Sequence, residues 1–293
     1  MNKHDFPVFD ICSLNTDKNE NELFSVDRFR GYVDSNPHLQ IMHNHNYYHL
    51  VFFTEGSGMH TIDFEQFPVK EGMIYFMRPG QVHQWKFQNK YDGYVINFSA
   101  NFFDWIGINS AVLNQFSFFK TMRLSEQVHT IANKDNHIII SFFEDILKEY
   151  CLSDNYSNFK MATLTLQLFI AVQRLVNSSS FQLNDYQSVL INNFQDLIEQ
   201  YYSEKKLPKE YAELLYITPN HLNALCKDVL GLSSGELIRN RVILEAKRLL
   251  VNKSITVNEI AYDLNFKDSS YFVKFFKKYT NFTPDQFRKE FYI

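Results

Sequence analysis

EYAELLYITPNHLNALCKDVLGLSSGEL (residues 210–237) and EIAYDLNFKDSSYFVKFFKKYTNFTPDQF (259–287) are one pattern written twice. Glu210, Ala212 and Leu215 recur 49 residues later as Glu259, Ala261 and Leu264. Thr218, Leu222, Leu225, Lys227, Leu232, Ser233 and Leu237 recur at a spacing of 50 as Asp268, Phe272, Phe275, Lys277, Phe282, Thr283 and Phe287. Apolar residues at helical spacing on either side of a short break predict a short helix, a tight turn and a second helix in each copy. The slip of one residue falls in the turn, where an insertion costs least. Ala212 and Ala261 are small enough for the second helix to cross the first closely. Thr218 and Asp268 stand where a side-chain oxygen caps the second helix, and Pro219 follows at the first helical position.

With Leu222, Leu225, Phe272, Phe275 and Phe276 facing inward, the outer face of the first copy carries Asn220, His221, Asn223, Ala224 and Lys227. That of the second carries Ser269, Ser270, Val273, Lys274 and Lys277. Asparagine pairs with the two major-groove atoms of adenine, and lysine reaches guanine or phosphate. These ten residues are the candidate DNA-binding set. Between the copies, 235–251 predicts an amphipathic helix with Ile238, Val242, Ala246 and Leu249 as its buried stripe. Such a spacer would hold two reading helices on one side, suited to successive major grooves about 34 Å apart.

The chain of 293 residues is long for one hydrophobic core and points to two domains. It is 45% hydrophobic and 21% charged, an ordinary globular composition, with a high aromatic share of 16%. Net charge is −4, but 188–293 holds 15 Lys and Arg against 13 Asp and Glu, so the acidic excess lies in the first part. Cys12, Cys151 and Cys226 lie far apart and suit a reducing compartment rather than a zinc site. No secretory signal is visible. The most apolar stretch, 161–176, is broken by Gln167, Gln173 and Arg174 and reads as too short and polar to span a bilayer. A soluble, cytoplasmic protein without membrane contact is expected.

Earlier in the chain, 49–54, 60–64, 73–77 and 94–98 are short runs rich in Tyr, Phe, Val and Ile. They are separated by turn signals at 55–58, 71–72, 79–80 and 92–93. Even spacing of this kind suggests a barrel or sandwich. Two helices follow at 136–150 and 157–176, the second with a stripe of Leu164, Leu168, Ala171 and Leu175. This stripe either covers the β-structure or pairs with a second subunit. The small polar run 177–184 reads as linker, and 185–202 as one more helix.

Residues 207–289 resemble the DNA-binding domain of the AraC/XylS family. The resemblance is carried by Thr218-Pro219-Asn220-His221-Leu222 and by Arg241, Ala246, Leu249 and Leu250. It continues through Ile260-Ala261, Asn265-Phe266, Ser270-Tyr271-Phe272, Phe276-Lys277-Lys278 and Asn281-Phe282-Thr283-Pro284. Asn265 and Asn281 replace the usual glycines and, as residues tolerant of the left-handed region, should keep the turns. Ala224 and Lys274 stand where arginine is common, so base readout should lean on Asn220, Asn223, Ser269, Ser270 and Lys274.

The resemblance implies an α+β two-domain chain: a cupin-like β-barrel with flanking helices, then an all-α double helix-turn-helix domain. The expected divisions are an effector-binding barrel at 1–135, a helical dimerisation segment at 136–176, a linker at 177–187 and the DNA-binding domain at 188–293. Its helix-turn-helix units occupy 207–230 and 256–280. The function implied is sequence-specific binding of double-stranded DNA by a transcription factor that answers to a small-molecule effector. A homodimer and contact with RNA polymerase are expected as well. His43, His45, Tyr47, His49, Tyr75, His83 and Trp85 are the candidate effector-binding residues, at the mouth of the barrel. His43, His45, His49 and His83 could together hold a divalent transition metal, although no cofactor is expected. No Ser/His/Asp set, phosphate loop or carboxylate pair stands out, and no catalysis is expected. The competing readings are a cupin-type metalloenzyme with a helical appendage and an interaction protein that uses its helices for partners alone.

Overall fold

A computed structural model describes residues 7–14, 22–121, 123–176 and 185–291. The chain divides into two compact units, one from Pro7 to Ser180 and one from Phe181 onward. Among the described residues the first contains ten strands: β1 (Val8–Phe9), β2 (Phe24–Arg28), β3 (Asn44–His45), β4 (Tyr48–Glu55), β5 (Gly58–Ile62), β6 (Glu65–Val69), β7 (Met73–Met77), β8 (His83–Phe87), β9 (Asp92–Phe98) and β10 (Val128–Thr130). Its helices are α1 (Phe29–Ser35), α2 (Ser117–Lys120), α3 (Asn136–Leu152) and α4 (Ser157–Val176). An antiparallel five-stranded sheet runs β10-β7-β4-β9-β2, a three-stranded one β6-β5-β8, and β1 pairs with β3.

Alternation along β4, β7 and β9 gives the five-stranded sheet two buried faces. Leu50, Phe52, Ile74, Phe76, Tyr94, Ile96 and Phe98 meet Ile139, Phe143, Leu168 and Phe169 of α3 and α4. On the opposite face Val51, Phe53, Tyr75 and Val95 share a core with Ile62, Val69 and Trp85 of the three-stranded sheet. The β-structure is therefore a two-sheet roll with helices packed on one side, in three layers. Gly93 is obligatory in it, because a Cβ there would lie 2.0 Å from the Phe52 carbonyl oxygen across the β4–β9 pair.

The buried face of α4 is Met161, Ala162, Thr165, Leu168, Phe169 and Val172. Of the expected stripe only Leu168 is fully buried, while Leu164, Ala171 and Leu175 form its margin. The face is set by Phe169, which packs among Phe76, Phe98, Phe103 and Phe119. With 20 residues, α4 does meet the length and hydropathy of a membrane span, contrary to the sequence reading. Its apolar face nevertheless belongs to the protein core.

The second unit is helical: α5 (Asp185–Tyr201), α6 (Pro208–Leu214), α7 (Pro219–Leu230), α8 (Ser234–Leu250), α9 (Val257–Asp263), α10 (Ser269–Thr280) and α11 (Pro284–Phe291). Of the expected linker, 177–184 lies outside the described residues, and Asp185 already opens α5. The central helix α8 buries Leu237, Ile238, Val242, Ile243, Ala246 and Leu250. Leu249, expected in that stripe, is only half-buried. Arg241 donates from α8 to Glu199 of α5 (2.8 Å) and to Glu245 (2.9 Å) and lies 3.8 Å over the Tyr202 ring, tying the first helix of the unit to its centre.

Candidate nucleic-acid interface and effector site

Each helix-turn-helix copy is built by the same local devices. Thr218 Oγ1 accepts from His221 N (3.2 Å) at the start of α7, and Asp268 Oδ1 from Tyr271 N (2.7 Å) at the start of α10. Ser233 with Glu236 and Thr256 with Glu259 form reciprocal capping boxes at α8 and α9. Helices α7 and α10 end on Gly231 (φ +71°) and Asn281 (φ +64°), and the turns before them pass through Tyr216 (φ +55°) and Asn265 (φ +56°). The asparagines thus take the left-handed conformation that the usual glycines would supply.

Leu222, Leu225, Phe272 and Phe276 are buried, and Phe275 is half-buried. On the opposite sides Asn220, His221, Ala224 and Lys227 of α7 are exposed, as are Ser270, Lys274 and Lys277 of α10. Ser269 and Val273 are half-buried beside them. Asn223 differs from its neighbours. It is half-buried, and its Oδ1 accepts from Ser234 N (3.3 Å) at the N-terminus of α8. Its carboxamide is engaged inside the unit rather than held out with Asn220. Lys278, also exposed, adds a cation that the ten-residue set does not include.

In the β-rich unit the seven expected effector residues come together, but in the interior rather than at a mouth: none is more than 3% exposed. Phe29 of α1 packs on Trp85, and Phe9 of β1 on His43, so α1 and the first strand cover the group. Their imidazoles surround His83, with ring centres 4.2 Å away for His43, 4.9 Å for His45 and 5.4 Å for His49. A fifth, His60 of β5, was not singled out in the sequence; its Nε2 lies 3.0 Å from His83 Nδ1, and the two nitrogens share one proton. The signal was its strand position, opposite Trp85 in the β5–β8 register.

His43 Nδ1 donates to the Ile41 carbonyl (2.8 Å), His45 Nδ1 to that of Tyr47 (3.0 Å) and His49 Nδ1 to Asn97 Oδ1 (2.6 Å). Asn97 is oriented by donating its own amide to Ser25 (3.0 Å). Burial pushes the imidazoles down, His43 to about 4 and His49 to about 3, while His45, His60 and His83 fall well below the ordinary range for the same reason. At neutral pH they are uncharged. With Nδ1 protonated, the Nε2 atoms of His45 and His49 are lone-pair acceptors, and both are buried without a partner, as is the Trp85 Nε1 donor. Tyr75 donates its hydroxyl to the Pro68 carbonyl. Among the described residues no group of three or more His, Cys, Asp or Glu side chains is arranged to hold one metal ion.

Residues 26–144 match the AraC-like ligand binding domain, and residues 211–290 match a helix-turn-helix domain. The HTH-type transcriptional regulator YijO of Escherichia coli is 27% identical over 114 residues, 39% of this chain and 40% of that protein. A regulator from Pseudoalteromonas carrageenovora is 36% identical over 97 residues, 57% of its length. Longer alignments join the chain to the transcriptional activator RhaS of Escherichia coli, 20% identical over 84% of this chain and 87% of that protein. The lactose operon transcription activator of Staphylococcus xylosus is 24% identical, over 82% and 83%. Among solved structures, ToxT from Vibrio cholerae is 14% identical over 84% of this chain and 88% of that one, with a TM-score of 0.45. With the ligand-binding and helix-turn-helix matches together taking in about two thirds of its length, the chain belongs to the AraC family of transcriptional regulators.

Proposed function

We propose that this protein is a transcription factor that binds duplex DNA sequence-specifically through α7 and α10 and responds to a small molecule held inside its β-rich unit. The observation that carries this reading is the repetition itself: two capped helices, each following a left-handed turn and each with an exposed polar and cationic face. An isolated bundle needs neither the duplication nor the matched turns.

The interior points to an uncharged, hydroxyl-bearing effector. Neutral imidazole acceptors call for donors, the Trp85 N–H calls for an acceptor, and among the described residues of this unit no Lys or Arg is buried to meet a carboxylate. That the Staphylococcus relative is named for a lactose operon agrees with such a ligand. Entry requires Phe9 or Phe29 to move, so the ligand would select a minor open form and shift the population that engages DNA. The protein carries no resident metal, performs no catalysis and acts in the cytoplasm as a homodimer that touches RNA polymerase. Phe159 and Ile170, both exposed on α4 and three turns apart on one face, support the segment 136–176 as the dimer surface.

The test is selection of duplexes from a random-sequence pool by the full chain, then affinity against salt and footprinting. A recovered motif protected over two successive major grooves is the expected result. Equal affinity for enriched and scrambled duplexes would defeat the reading.

A further inference from the structure

We propose that Tyr216 is a DNA-contacting residue, held by the turn of the first unit against the sugar-phosphate wall of the groove that α7 enters. This rests on the regulator reading above. The two turns share one hydrogen-bonding scheme. Tyr216 N donates to Glu213 O (3.2 Å) and Ile217 N to Ala212 O (3.0 Å); Asn265 N donates to Tyr262 O (2.8 Å) and Phe266 N to Ala261 O (2.8 Å). The backbone at this position is therefore dictated by the motif, and both residues sit at φ near +55°. Asparagine tolerates that region, whereas a bulky aromatic is strained there.

Nothing inside the unit offsets the strain. The Tyr216 side chain is 96% exposed, so packing neither holds the ring nor gains from it. An unfavourable backbone kept without an internal return points outward, to something the free chain does not contain. The position says what that is. Tyr216 lies two residues before the cap of α7, and a recognition helix enters the groove by its N-terminal end while the preceding helix crosses the backbone. The first unit also needs the contact more than the second. Ala224 has no hydrogen-bonding group and can offer a base only its methyl, and Asn223 is engaged at the start of α8. A phenol donates a hydrogen bond to a phosphate oxygen and lays its ring on the sugar. It adds affinity without sequence preference and, being neutral, releases no counterion.

The experiment uses the full chain with Tyr216→Asn and Tyr216→Phe and duplexes enriched from a random pool by the wild-type protein. The asparagine variant copies the second unit. It should bind about tenfold more weakly to enriched and scrambled duplexes alike, with the slope of log affinity against log salt unchanged. Its thermal midpoint should stay the same or rise by about 2 °C as the strain is relieved. The phenylalanine variant, lacking only the hydroxyl, should fall in between. Binding by Tyr216→Asn within twofold of wild type would overturn the proposal, as would weaker binding accompanied by a lower midpoint. Intact DNA binding with lost activation of a promoter reporter would assign the residue to a protein partner instead. A wild-type chain that enriches no duplex would overturn both this proposal and the regulator reading, and so marks the failure of the latter.

Discussion

Acidification to pH 5 should unfold the β-rich unit selectively, and the size of the effect follows from its buried imidazoles. An imidazole that stays neutral when folded but takes a proton when unfolded favours the unfolded chain wherever the pH lies below about 6.5. Burial holds His43 at about 4 and His49 at about 3, against the opposing help of their bonds to Ile41 and Asn97. Stability is then full above pH 6.5, declines as the pH falls from there, and stops declining once the folded chain takes up the same protons near pH 4 and 3. At pH 5 each of the two costs about 2 kcal/mol, about 4 kcal/mol together. His45, His60 and His83 are shifted the same way and add to it. Against the roughly 5–15 kcal/mol that holds a typical domain, this is decisive. Both tryptophans, Trp85 and Trp105, belong to this unit, so fluorescence during urea unfolding of the full chain reports it alone. The midpoint should fall steeply between pH 6.5 and 5 while the circular dichroism transition of the helical unit moves little. His60→Leu should flatten the dependence by about 1.4 kcal/mol per pH unit. A wild-type slope below the value for a single proton would show that water or charge reaches the cluster, and would refute the reasoning.

Arg241→Ala removes the cation that bridges Glu199 and Glu245, leaving Glu245 the longer 3.8 Å pair with Arg248, and removes the group stacked on Tyr202. A loss of about 3 kcal/mol is expected in the helical transition, followed by circular dichroism in urea. Asp268→Ala removes the cap of α10 and should cost about 1 kcal/mol by the same assay, with weaker DNA binding as the first turn of the helix frays. Lys274→Ala should weaken binding and lower the salt slope by about one. Asn223→Ala, by contrast, should reduce stability and leave the selected DNA motif unchanged, since that carboxamide serves α8; a changed motif would show that it turns outward on DNA.

The helical unit was legible because its sequence carries each position twice. Asn265 and Asn281 could be assigned the left-handed region before any coordinates, from their place in the pattern, and both adopt it. Tyr216 occupies the equivalent place in the first copy, yet a tyrosine's own chemistry gives no hint of positive φ, so its conformation is not legible from the residue type. Asn223 shows a different limit. Helical periodicity puts it on the outer face of α7, but periodicity knows nothing of the free amide of Ser234 eleven residues further on, which draws the carboxamide inward. The same holds in the β-rich unit. The motif around His43, His45 and His49 was readable as a run, and His83 from the turn before it. His60 became a member only because the β5–β8 register sets it across from Trp85. The mouth expected from a barrel was likewise closed by Phe9 and Phe29, whose positions follow from long-range packing. Local rules therefore place backbone and choose candidates, while distant segments decide which candidates remain available to a ligand. Of the residues expected on the outer face of α7, Asn220 and His221 stay exposed and Asn223 is half-buried. The specificity of α7 on DNA must then come from its first turn, and the contact proposed for Tyr216 beside it would add affinity alone.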